Sequence, residues 1–182
     1  MKVRIVSLFL LMMTAMISYG QIFSTKGTDF WFGFMQNYNS PTLRVYISSD
    51  IATSGTVSIP GQGFTQNYTV AANGTAVVTV PNNQAHITTS QVVENKGIHV
   101  TALNPVTVYA LNYEAYSSDA AIVLPLNTLG VEYYAATINP AVVSGSPYPS
   151  EILIVGVQNG SSIQITPSVA TLAGNAAART AT

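Results

Sequence analysis

The strongest constraint on this chain is a period of two that recurs in short runs. In Thr42–Ser49 the apolar residues Leu43, Val45 and Ile47 are spaced by two, which places them on one face of a strand. Val57 and Ile59 repeat the pattern and stop at Pro60-Gly61. Residues 64–71, 75–80, 85–90, 97–102, 106–113, 119–124, 133–138, 151–157 and 161–166 read the same way, each β-branched or aromatic and bounded by Gly, Pro or Asn. With Phe30–Gln36 this predicts about twelve strands and no helix. Asn73-Gly74 and Asn159-Gly160 fall between such runs as hairpin signals. Many short strands with regular turns predict an all-β chain, a β-sandwich of Ig-like or jelly-roll-like kind.

The first twenty residues read differently. Lys2 and Arg4 precede an uncharged run from Ile5 to Ile17, and Ser18-Tyr19-Gly20 offers a small-x-small site before Gln21. These are the three parts of a secretory signal peptide. The thirteen-residue run is short for a membrane span, which takes about 20 apolar residues. The expectation is cleavage after Gly20, no membrane insertion afterwards, and a secreted or cell-surface location.

Beyond residue 20 there are four basic residues (Lys26, Arg44, Lys96, Arg179) and seven acidic ones, a net charge of −3. That argues against nucleic acid, which is bound through clustered Lys and Arg, and against anionic membrane surfaces. Only 7% of the chain is charged but 48% is hydrophobic, so the low charge does not signal disorder. There is no Cys, so stability rests on packing, not disulfides. An exported, cysteine-free chain fits a bacterial source.

Two domain divisions stay open. Ile152–Pro167 echoes Leu43–Pro60 at an offset near that of one sandwich module, about 100 residues. One division puts a sandwich at 21–140, a Pro/Gly linker at 141–150, and the opening strands of a second, truncated unit at 151–182. The other lets 151–166 add strands to the first sandwich. Residues 168–182 show no period.

The order of motifs resembles the N-terminal domain family of IgGFc-binding proteins. The segments that carry it are Gly27–Asn37, Lys96–Val100, Pro105–Tyr109, Ala121–Pro125, Leu129–Tyr134 and the Ile152–Pro167 pair, spanning about 27–167. The resemblance implies an extracellular β-rich binding protein with no catalytic residues to carry over, and a family region that continues past residue 182.

Chemistry-bearing patterns are sparse. His86 and His99 are expected on separate strands, too few for a catalytic zinc, which needs three protein ligands. Asp29, Asp50 and Asp119 could meet in loops to hold calcium. No Gly-x-Ser-x-Gly or His-Glu-x-x-His occurs. The expectation is no enzyme, no cofactor, no metal and no catalytic residue. Asn67, Asn73 and Asn159 stand in N-glycosylation sequons of the kind a Thr/Asn-rich chain produces by chance.

Aromatic residues are the remaining candidates for recognition. Phe30, Phe32 and Phe34 share one strand face and Trp31 and Met35 the other, the pattern of a strand buried on both sides. Tyr109, Leu111 and Tyr113 share a face. Tyrosine can sit half-wet and is enriched at binding surfaces. Tyr116, in a loop, and Tyr148, between prolines, are the first candidates for ligand contact, with Tyr113 and Tyr134 beside them. The partner would be an extracellular protein or a glycan. The function expected is a non-catalytic adhesion or ligand-binding module. The alternatives are a carbohydrate-binding accessory domain of a glycan-degrading protein, or a structural spacer.

Overall fold

A computed structural model describes residues 24–138, 141–143, 145–168 and 179–181. The expected signal peptide lies outside the described residues, as do Asn139–Pro140, Ser144 and most of the stretch from residue 169 on.

The protein is an all-β sandwich. In chain order the strands are β1 (Gly27–Phe32), β2 (Thr42–Ser49), β3 (Thr53–Ile59), β4 (Phe64–Val70), β5 (Gly74–Val80), β6 (Ile98–Tyr113) and β7 (Ser118–Val123). Three-residue strands follow: β8 (Ala141–Val143) pairs with β9 (Ser146–Tyr148), and β10 (Ser161–Ile163) with β11 (Arg179–Ala181). The sixteen-residue β6 belongs to both layers. Its first part pairs with β1 and β3, and β3 with β4. Its second part pairs with β2 and β7, and β2 with β5. All these pairings are antiparallel. Pro105 sits exposed where β6 passes from one layer to the other, a place where a missing N–H costs the ladder little. The β1–β6 register shifts beside it, between Gly27 and Asp29.

The alternation seen in the sequence becomes the core. Leu43, Val45 and Ile47 on β2, Val57 and Ile59 on β3, Val78 and Val80 on β5, and Ile98, Val100, Val106 and Val108 on β6 are buried between the layers. Phe30 and Phe34 fill one end, and Phe32 stands edge-on to Phe34 with ring centres 5.7 Å apart. Of the expected two-sided burial, the Phe side holds. On the other side Trp31 is half-buried and Met35 is exposed.

Several expectations are corrected. Residues 85–90 are not a strand. Pro81 precedes a short helix, α1 (Asn82–Ala85), which buries Ala85. His86 follows it with a single bridge to Phe34, so it is not on a strand. The runs 97–102 and 106–113 are one strand. Residues 133–138 and 151–157 form none. Asn73 does adopt a positive φ of 56° in a tight turn, but β4 and β5 enter different layers, so it is a corner and not a hairpin. At Asn159-Gly160 the turn forms (Gly160 φ 76°), yet β10 pairs with β11, not with Ile152–Val155. Leu153 and Val155 instead lie against Gly33, where a Cβ would come within 2.8 Å of Leu153 Cδ2.

Candidate functional site

The layer formed by β7, β6, β2 and β5 presents an apolar row to solvent. Antiparallel register sets Ile122 beside Tyr109, Tyr109 beside Tyr46, and Tyr46 beside Val77. The row crosses four strands, about 14 Å at the usual strand spacing. Tyr109 keeps 43% of its surface, Val77 49% and Ile122 42%, while Tyr46 is half-buried between its neighbours. The next row is Ala120, Leu111, Arg44 and Thr79. Arg44 is exposed there. On β2, β5 and β6 these side chains point outward because their neighbours in sequence point inward; the period of two that builds the sandwich builds this face as well.

Tyr113 continues the same face at the end of β6 and is exposed. Tyr116 lies in the following loop, 85% exposed, its ring edge-on to Tyr38 with centres 6.2 Å apart. Asn37 fixes this end: its side-chain amide donates to the Asn112 side-chain oxygen at 3.0 Å and to the Ser117 carbonyl at 2.8 Å. The Asn112 amide donates in turn to the Met35 carbonyl at 3.0 Å.

Of the four tyrosines singled out from the sequence, the structure therefore brings Tyr113 and Tyr116 to one end of this face. Tyr148 is on β9 and Tyr134 in the segment after residue 129; both are exposed. The Tyr134 hydroxyl donates to the Glu132 carboxylate at 3.0 Å, a local contact. Sequence reasoning missed Tyr46, Val77, Arg44 and Ile122. The signal was their outward phase on β2, β5 and β7, but joining them to Tyr109 needed the strand order.

The outer surface of the other layer is polar. Trp31 stacks on His99 at 4.2 Å and 11°, and His99 Nε2 lies 3.0 Å from Asp29 Oδ1. The Thr56 and Thr101 hydroxyls share a hydrogen bond of 2.8 Å. Ser58 is opposite His99 in the ladder, but its hydroxyl points to the His99 carbonyl at 3.4 Å and not to the ring. This is cross-strand pairing and makes no nucleophile–base contact.

His86 is buried beside α1. Its Nε2 accepts from the Asn37 N–H at 3.0 Å, and burial, then the Lys96 charge, lower its pKa. The acids expected to meet for calcium are apart: Asp29 faces His99, Asp50 pairs with Lys26, and Asp119 is on β7. Among the described residues no three His, Asp or Glu side chains gather to hold a metal. Among them, too, no helix is long and apolar enough to cross a membrane, which says nothing of a β-barrel.

Residues 119–182 match the family model described as IgGFc binding protein, the family the motif order resembles. The match takes in nearly all of β7 and the chain beyond it, about a third of the sequence, and leaves β1 to β6 outside. Neither the curated proteins nor the solved structures hold a match. That family is described by what it binds.

Proposed function

We propose that this chain is the binding module of an exported protein, secreted or displayed at the cell surface, and that it engages an extracellular protein through the outer face of the β7–β6–β2–β5 layer. The observation that carries this reading is the Ile122–Tyr109–Tyr46–Val77 row with Arg44 beside it. Tyrosine and arginine are the residues that dominate protein interfaces, because they bury large area and keep a polar handle. Solvent-facing apolar residues in one continuous row mark an interaction surface, whereas the same residues scattered singly would not. The likeness of residues 119–182 to the IgGFc-binding family supports a protein partner and a location outside the cell. The signal-peptide pattern of residues 1–20 supports that location. Tyr113 and Tyr116 extend the face; Tyr148 and Tyr134 remain separate candidates on the C-terminal segment.

The test is binding of the purified chain to an immobilised panel of extracellular proteins, immunoglobulin included, beside a glycan array. A specific protein hit that weakens tenfold or more, about 1.4 kcal/mol, in Tyr109→Ala and Tyr46→Ala supports the reading. Loss confined to Tyr148→Ala or Tyr134→Ala moves the site to the C-terminal segment. A glycan hit would favour the carbohydrate-binding alternative, and silence on both panels from folded protein would favour a spacer.

A further inference from the structure

Two layers of four strands have four edges, and this fold closes or flanks three of them. β4 and β5 are the outer strands on one side and lie against each other, joined by the turn before Gly74. β1 carries the register shift at Gly27/Asp29 and is flanked by the 3-10 turn Leu126–Thr128, with Pro125 against Gly27. β7 is different. Among the described residues it pairs with β6 alone and only touches β1, and Ser118, Asp119, Ala120, Ala121 and Ile122 are all exposed. Proteins usually blunt such an edge with Lys, Pro, a bulge or an inward-pointing charge, and of these β7 has only the Asp119 carboxylate. Ser118–Val123 contains no Lys and no Pro, and its ladder with β6 runs without a shift.

Both sides of this edge are prepared for side chains of a further strand. On the outer side the apolar row ends at Ile122. On the inner side lies an open cleft of about 250 Å³, bounded by Asn37, Asn112, Asp119, Ala121 and Glu151. Among the described residues neither carboxylate is ion-paired, and burial raises the Glu151 pKa. Alternating residues of an added strand would thus meet an apolar row on one face and an acidic cleft on the other.

We propose that the β7 edge accepts an extended segment of another polypeptide as an added strand, one whose residues are apolar on the outer face and include a Lys or Arg entering the cleft between Asp119 and Glu151. The backbone ladder would supply affinity, and the charge in the cleft would set the register. This contact uses only the Ile122 end of the tyrosine face: the added strand lies beside β7, four strand positions from Val77 on β5.

The probe is a capped, fluorescein-labelled peptide, Val-Ser-Val-Lys-Val-Ser-Val, titrated into the purified chain by anisotropy, with amide exchange read at residues 118–123. The expected result is saturable binding that protects those amides. Asp119→Asn with Glu151→Gln should weaken it about tenfold, the scale of a lost charge-assisted hydrogen bond, and so should Glu in place of the peptide's Lys. A peptide N-methylated at alternate amides on its β7-facing edge should not bind. Absence of saturable binding, binding without protection at 118–123, or equal binding of the N-methylated peptide would overturn the proposal. Protection that rises with protein concentration alone would also overturn it, by making a second copy the occupant. Peptide binding with a silent protein panel leaves this inference standing and removes the proposed face; the reverse result does the opposite.

Discussion

Changing Glu94 to Gln should remove most of the acid sensitivity of the loop that ties α1 to β6. The Glu94 carboxylate accepts from the Thr88 N–H at 3.2 Å, the Thr89 N–H at 3.1 Å and the Thr89 hydroxyl, and pairs with Lys96. Lys96 donates onward to the His86 carbonyl at 2.8 Å. Burial pushes the Glu94 carboxyl up, but the Lys96 ammonium and the Thr89 donors outweigh it and hold the group down at about 2, against an ordinary 4.5. At about 1.36 kcal/mol per pH unit, that difference caps the contribution near 3.4 kcal/mol. Solvent reaches both partners, 18% of Lys96 and 13% of Glu94 remaining exposed, so screening brings the expected value to about 1–2 kcal/mol. Because the folded pKa lies below the unfolded one, this stability is fully present above pH 4.5 and is lost as the pH falls toward 2. Urea unfolding from pH 6 to pH 2 reads it directly. The native chain should exceed Glu94→Gln by about 1–2 kcal/mol at pH 6, and the two curves should converge near pH 2. Curves that stay parallel, or a variant as stable as the native chain at pH 6, would refute the assignment of that charge to the loop.

Phe30→Ala should cost about 3–5 kcal/mol, because the ring is fully buried between the layers; the check is a lower urea midpoint with an unchanged slope. His86 gives a pH effect of its own. Burial, then Lys96, lower its pKa, so folding stability should fall as the pH drops below the unfolded value of about 6.5. In His86→Gln that loss between pH 6.5 and 5 should be absent from the same unfolding series.

The sequence carried the parts of this fold that depend on alternation alone. β2, β4 and β5 lie within a residue of the expected runs 42–49, 64–71 and 75–80, since one buried face suffices to define each. The errors came where another force competes with period. Residues 85–90 form no strand: Ala85 closes the short helix after Pro81, and His86 makes a single bridge to Phe34. Pro105 does not break β6, because it falls where the strand changes layers. Ile152, Ile154 and Tyr133 alternate as a strand would, yet they form none and stand exposed, for a local pattern cannot provide a strand with its neighbour. The candidate face divides the same way. The phase shared by Tyr109, Leu111 and Tyr113 is local and legible. Tyr46, Val77 and Ile122 join it only through the register of three separate ladders.

The chain past β7 differs from what precedes it, and proteolysis should expose the difference. Among the described residues every member of the buried core lies at or before Val123, whereas Val131, Tyr133, Tyr134, Ile138 and Ile152 are all exposed. Tyr116 and Tyr134 offer chymotrypsin similar side-chain exposure, 85% and 93%. Their backbones are held differently. Around Tyr116, the Tyr116 N–H donates to Glu114 Oε2, the Ser118 hydroxyl to the Glu114 carbonyl, and the Asn37 amide to the Ser117 carbonyl, each at 2.8 Å. Between 130 and 138 the described backbone bonds are the Tyr133 hydroxyl to Gly130 and the Ser150 hydroxyl with Ile138. Cleavage requires local opening, and opening the Tyr116 loop breaks three bonds worth about 0.5–1.5 kcal/mol each. Cutting at Tyr133 and Tyr134 should therefore run about tenfold or more ahead of cutting at Tyr116. Mass spectrometry of the first fragments decides it. A first cut at Tyr116, or a segment 129–138 that resists while the sandwich is nicked, would mean that contacts of the C-terminal third outweigh the hydrogen bonds that fix the Tyr116 loop.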